Sequence, residues 1–247
     1  DLTSRILEPD VVGERHYKVA RAVQELPFWR YAIVMNGAVV WDRAEGRAIR
    51  RAELSPELAV RVMARLEDFP GTLDCYMEDN CGWMEARYYA ALDDWILDPV
   101  SRRIIREMRR PMEDLRGYVG RRGRPVQKIQ SYFRDEATQR AVLAALAEEF
   151  PELSVACSLP GNVELTHRDA TKGAAMTALC AYLGIPLERA AAFGDERNDC
   201  SMLAAAGMGV AMGNAAPEAK AAARLVTDTN QEDGVARTLL RLLEEGA

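Results

Sequence analysis

The stretch that most constrains this chain is Phe193-Gly194-Asp195-Glu196-Arg197-Asn198-Asp199. Ahead of it, Ala190 to Phe193 is a short apolar run after the turn residues Ile185-Pro186, the pattern of a buried strand. Behind it, Met202, Leu203 and Ala206 keep a helical spacing, and Gly207 is placed to end that helix. Two aspartates and an asparagine therefore stand at the C-terminal edge of an expected parallel strand, where open α/β sheets hold their ligands. Carboxylates at Asp195 and Asp199 can converge on one hard cation such as Mg²⁺, which takes oxygen ligands and keeps several waters. The same residues are compatible with a polar turn in which Asp199 caps the following helix.

Upstream, Thr171-Lys172-Gly173 opens an apolar-periodic segment (Ala174, Met176, Leu179, Cys180, Leu183) that Gly184 ends. A lysine there adds its charge to the positive end of a helix dipole, which suits a phosphate; a lone Lys-Gly pair is equally an exposed lysine beside a flexible glycine. Downstream, Gly207 to Ala215 reads as a short buried strand closed by a turn at Asn214-Ala215. The remainder alternates helix (217–223), strand (225–227) and helix (235–244), so short loops join a parallel sheet.

Taken in order, Lys172-Gly173, Gly194 to Asp199, Gly207 to Ala215 and Asp233-Gly234-Val235-Ala236 resemble the C-terminal half of the haloacid dehalogenase (HAD) superfamily phosphatases, in their Cof-type or IIB branch. Residues 165–240 carry the resemblance closely and the rest loosely. It implies an α/β fold: a Rossmann-like HAD core with a parallel sheet, split in sequence over residues 1–37 and 167–247, and an inserted α+β cap of the C2 type over 38–166. It implies Mg²⁺-dependent hydrolysis of a small phosphomonoester, a sugar phosphate above all, through an aspartyl-phosphate intermediate. A sugar phosphomutase and a catalytically inactive phosphate-binding homologue stay open as alternatives.

The resemblance also assigns roles. Asp195 binds the metal and Asp199, the second metal residue, supports it, while Lys172 and Asn198 hold the phosphoryl group. Thr3-Ser4-Arg5 looks like the family's second motif, with Ser4 in place of the usual glycine; Thr3 then offers its hydroxyl to the phosphoryl oxygen and Arg5 sits nearby. Asn36-Gly37-Ala38 marks the exit from core to cap and adds Asn36 to the substrate-binding set. Lys172, Thr3 and Asp195 form the expected catalytic group. The family's first motif, Asp-x-Asp-Gly-Thr, holds the nucleophile and the general acid, and no such run occurs in these residues. Asp1 stands too close to Thr3 to take that place. With no methionine and no strand ahead of Thr3, the natural beginning of the protein is expected to lie upstream.

Between these motifs the chain reads as α+β. Glu14 to Leu26 has a helical spacing that Pro27 stops. Tyr31 to Met35 is a buried-type strand, and Val39 to Trp41 with Ala48-Ile49 flank a hairpin turn at 43–46. Ser55-Pro56 caps a helix to about Asp68. Strands follow at 73–77, 126–133, 153–159 and 162–166, with a helix over 135–150. The aromatic segment 83–97 (Trp83, Tyr88, Tyr89, Trp95) is compatible with core packing or with a sugar-stacking lid. Arg102 to Arg110 carries five arginines, compatible with a solvated face or with gathering anionic substrate groups. His16 lies on a helix surface, and His167 ends the last cap strand facing the core; they are too far apart in sequence to form a zinc site.

A net charge of −6 argues against nucleic acid as the main partner. The five cysteines make no Cys-x-x-Cys pair and are read as reduced thiols of a cytoplasmic protein. No apolar run is long enough to span a membrane. The expected partner is a small phosphorylated metabolite, with neither nucleic acid nor membrane, and the expected assembly is a monomer or homodimer.

Overall fold

The computed structural model describes residues 30–77, 82–96, 98–157, 159 and 161–244. The readings at Asp1, Thr3, Arg5 and His16, and the helix over 14–26, lie outside these residues. Within them the chain forms two compact units, one built from Tyr31–Arg50 with the chain from Thr171 onward, the other from Arg51–Ala170.

The first unit begins with Tyr31–Val34 (β1), Val39–Asp42 (β2) and Arg47–Arg51 (β3), a sheet in the order β1-β2-β3. β1 and β2 run antiparallel, Tyr31 opposite Asp42 and Val34 opposite Val39. Buried Asp42 closes the hairpin by accepting the Ala44 and Glu45 N–H groups at 3.0 and 3.2 Å. Residues 38–50 therefore group with the first unit and 167–170 with the second, whereas the sequence placed the boundaries at 37/38 and 166/167. The reason is pairing: β2 folds straight back onto β1.

The second unit holds Pro56–Leu66 (α1), Asp74–Met77 (β4), Gly82–Glu85 (β5), Ala86–Ala90 (α2), Leu92–Trp95 (α3), Pro99–Met108 (α4), Arg109–Met112 (β6), Leu115–Arg122 (α5), Val126–Tyr132 (β7), Glu136–Glu149 (α6), Leu153–Ala156 (β8) and Asn162–His167 (β9). Its six strands lie in the order β6-β5-β4-β7-β9-β8. All neighbours are antiparallel except β5 and β6. Ser55 caps α1 by accepting the Leu58 N–H, with Pro56 already carrying a helical φ. Asp135 caps α6 through the Thr138 N–H. Val62, Met63 and Leu66 of α1, Leu115 and Val119 of α5, and Val142 and Leu146 of α6 pack with Cys75, Met77, Ile129, Val163 and Leu165, one alternating face of the sheet.

On the other side, Tyr88, Tyr89 and Trp95 pack against Met84, Leu92, Ile96, Ile105 and Tyr132. Tyr88 and Trp95 meet edge to face with centroids 5.2 Å apart. Of the two readings of the aromatic segment, core packing is the one observed for these rings.

The chain returns to the first unit as Lys172–Leu183 (α7), Ala191–Gly194 (β10), Cys200–Ala205 (α8), Met208–Ala211 (β11), Pro217–Ala222 (α9), Leu225–Val226 (β12) and Gly234–Glu244 (α10). β10, β11 and β12 are parallel neighbours, with Gly194 opposite Ala211. This is the expected α/β alternation, and the helix between each pair of strands is what parallel pairing requires. Among the described residues no helix is long and apolar enough to cross a membrane.

Candidate active site

The first turn of α7 starts at Thr171, whose hydroxyl accepts the Ala174 N–H at 3.1 Å. The next free donor, Gly173 N–H, goes to Ser201 Oγ on α8 at 3.1 Å. That close approach needs glycine, because a Cβ at 173 would run into the Ser201 backbone. The two helices are thus locked at their N-terminal ends, and Lys172 is carried to the end of β10.

There Lys172 Nζ donates to Asp199 Oδ1 at 2.5 Å, the two side chains only 14% and 2% exposed. The other oxygen, Oδ2, accepts the N–H groups of Asp195 and Glu196 at 3.0 Å each. Glu196 and Asp199 form a reciprocal capping box over the single turn Arg197–Asp199. Gly194 has no Cβ because Asp199 occupies that space. The strand end is also tied to the loop after β11, through Met212 N–H to Gly194 O at 3.0 Å and Ala216 N–H to Asp195 O at 2.8 Å.

Of the two readings of Asp199, capping is not the one observed: its side chain does not cap α8, and its oxygens accept from Lys172 and from the Asp195 and Glu196 N–H groups. It thereby braces both Lys172 and the Asp195 turn. Asp195 is the carboxylate whose environment calls for a cation. Partial burial raises its carboxyl above the ordinary range, and the charges of Asp199 and Glu196 push the same way, with Lys172 opposing. A hard divalent cation fits such a group, since it answers the surplus negative charge, and Mg²⁺ sites are commonly completed by waters and substrate phosphate around one or two carboxylates. Among the described residues no group of three His, Cys, Asp or Glu side chains converges as a metal cage.

Asn198 points its Nδ2 at Asn36 Oδ1, 3.4 Å away, and its own Oδ1 is buried with no hydrogen-bond partner. Buried polar atoms are seldom left that way, and those that are call for an explanation in function. Asn36 sits in a left-handed turn, φ 57° and ψ 20°. The structure therefore brings Lys172, Asp195, Asn198, Asp199 and Asn36 together within one unit. His167, in the other unit, turns Nδ1 to the Asp169 N–H at 3.2 Å.

Thr171, read in the sequence as part of the run that opens this helix, is its N-cap. Ser201 escaped the sequence reading, because its role is set by how closely the two helices approach.

The matched family model, described as haloacid dehalogenase-like hydrolase, covers residues 12–239. The chain belongs to that family, and membership implies a divalent metal. A putative phosphatase of Haemophilus influenzae is 49% identical over 94 residues, 38% of this chain and 36% of that protein. The chain spans about a third of the length of the first curated relatives it matches. A solved haloacid dehalogenase-like hydrolase from Bacillus subtilis superposes with a TM-score of 0.72 at 28% identity, over 86% of this chain and 79% of that one. The structure of a HAD subclass IIB sugar phosphatase superposes with a TM-score of 0.70 over 90% of this chain and 78% of its own, at 23% identity. The α/β core-plus-cap fold is thereby that of the IIB structures.

Proposed function

We propose that the protein is a Mg²⁺-dependent phosphatase of small phosphomonoesters, with sugar phosphates as its substrate class. One observation carries the reading: a single buried carboxylate, Asp199, holds both the Lys172 ammonium and the backbone of the Asp195 turn. Phosphoryl transfer is mostly a matter of positioning and of neutralising charge on the equatorial oxygens. A fixed ammonium and a cation-seeking carboxylate at one strand end serve that task. When bound at Asp195, Mg²⁺ supplies charge neutralisation for the phosphoryl oxygens. Lys172 meets a phosphoryl oxygen from the N-terminal end of α7, where the helix dipole adds to its charge. Asn198 and Asn36 orient the group with amide hydrogen bonds.

By family resemblance the reaction passes through an aspartyl phosphate. The P–O bond to the leaving group breaks as a carboxylate oxygen bonds to phosphorus, and water then releases phosphate. The unit Arg51–Ala170 acts as the cap that selects the leaving group. The five cysteines make no Cys-x-x-Cys pair, and we place the protein in the cytoplasm on that usage.

The same resemblance leaves a second reading open, a phosphate-binding homologue without turnover. Assaying p-nitrophenyl phosphate and a panel of sugar phosphates with and without Mg²⁺ separates the two. Metal-dependent turnover with a preference for sugar phosphates is the expected result. Phosphate binding with no turnover on any ester would establish the second reading.

A further inference from the structure

We infer that Arg50 is a positioning residue for the phosphate end of this site, acting through the Asn36 turn; the inference rests on the phosphatase reading above. Met35, Asn36 and Gly37 take three successive positive φ values, 51°, 57° and 102°. Residues other than glycine enter that region only where their surroundings dictate it, and such turns concentrate at functional sites.

Three contacts dictate it here. The Ala38 N–H closes the turn onto Met35 O at 3.0 Å. Gly37 lies so close to the start of α7 that a Cβ would collide with the Thr171 carbonyl and the Lys172 nitrogen. The Arg50 guanidinium, reaching across from β3, donates from Nη1 to Gly37 O at 3.0 Å. The first two are backbone contacts that any sequence with this glycine can make. The third depends on a side chain and is charge-assisted, hence stronger than a neutral hydrogen bond.

Its geometric consequence falls on the site. The turn is what aims Asn36 at Asn198, and it packs directly over the backbone of Lys172. Without Arg50 the Gly37 carbonyl is released and the turn is free to relax toward the ordinary helical region, taking Asn36 away from Asn198. Through this bond Arg50 acts on the backbone of the turn. Its effect is therefore exerted through Asn36.

The test is a double-mutant cycle on p-nitrophenyl phosphate hydrolysis, with inorganic phosphate as competitive inhibitor. Arg50→Met keeps the stem and removes the donor. It is expected to lower kcat/KM and weaken phosphate inhibition by about tenfold, the effect of losing one charge-assisted hydrogen bond. Asn36→Ala should lose a comparable factor, and the double variant should be no worse than Asn36→Ala alone, because both changes act along one route. Arg50→Lys, which can donate to the same carbonyl, should recover most of the activity. Unchanged kinetics in Arg50→Met, or losses that multiply in the double variant, would overturn the inference. Hydrogen exchange over residues 35–40 is read on the same proteins and should quicken in Arg50→Met alone of the two Arg50 variants; unchanged exchange refutes the hold on the turn even without turnover. An inactive wild-type protein would instead sink the phosphatase reading, and the exchange result would then decide by itself whether Arg50 fixes the turn.

Discussion

Replacing Asp199 by asparagine keeps the shape of the side chain and removes its charge, which isolates what the Lys172–Asp199 pair contributes. At 2.5 Å, with an effective dielectric near 20, the gross attraction is about 6–7 kcal/mol. Most of that is offset by the desolvation of two nearly buried charges. The relevant quantity is the cost of leaving Lys172 unpaired, about 3–5 kcal/mol for a buried pair and nearer 3 here because Lys172 keeps 14% of its surface exposed. The amide oxygen of asparagine can still accept the Asp195 and Glu196 N–H groups, so the turn survives, but its NH₂ then faces the Lys172 ammonium, donor against donor. For a chain of this size about 3 kcal/mol corresponds to a fall in Tm of roughly 6–12 °C. Asp199→Ala goes further, since two backbone N–H groups also lose their acceptor at roughly 1 kcal/mol each. Differential scanning calorimetry of the wild type and both variants should therefore give the order wild type, Asn, Ala. Turnover of p-nitrophenyl phosphate should fall at least a hundredfold in both, as Lys172 loses its anchor. A Tm for Asp199→Asn within about 2 °C of wild type, by the same scale, would show that the pair is solvated in solution and that the argument from burial is wrong.

Three further outcomes follow from the same geometry. Lys172→Ala should cost on the order of 10² or more in kcat/KM, and a loss under about threefold would make it a surface lysine with no part in neutralising phosphate. Asp195→Asn should abolish metal-dependent turnover yet raise the Tm of the metal-free protein near neutral pH. The sign follows from the raised carboxyl: its ionised form is disfavoured in the folded state, so the cost is absent below the unfolded value near 3.8 and grows as pH rises through the folded one. Scans from pH 3.5 to 8 that show the same gap throughout would contradict it. In the other unit, Arg109→Leu should destabilise by about 3–5 kcal/mol by stranding buried Asp74, whereas Asp74→Leu with Arg109→Met should come back close to wild type; denaturant titration of the two variants checks this.

Much of the site's scaffold was legible because its signals are local. The Lys172–Leu183 helix shows its apolar spacing and its Gly184 stop in the sequence, and the turn between β10 and α8 announces itself by Gly194-Asp195 and Asn198-Asp199. What stayed hidden depends on distance in space. Nothing near Asp199 in sequence says that one of its oxygens is taken by a lysine 27 residues away. Asn36-Gly37 reads as an ordinary turn, and only the packing of Gly37 against Thr171 fixes its left-handed backbone.

The arginine run shows the same limit most sharply. Arg103 and Arg106 lie on α4 with exposed side chains paired to Glu107 and Asp93, as a solvated face would have it. Arg109, three residues on, is buried on β6 and reaches Asp74 at 3.2 Å while stacking 4.2 Å over the Tyr76 ring. It gets there because its neighbour in register, Gly82 on β5, has no side chain: a Cβ would strike the arginine stem. Burial pushes the Asp74 carboxyl up despite the attraction of Arg109, and Asp74 Oδ1 and Arg109 Nη1 make no hydrogen bond. Two charges that desolvated add little net stability over an apolar pair. Their more secure consequence is register. A one-residue slip of β6 against β5 would move Arg109 off Gly82 and onto the opposite face, among the apolar side chains beneath the sheet. The cost of an unpaired charge there is what holds β6 to its place, although the sequence shows only one more arginine in a row of five.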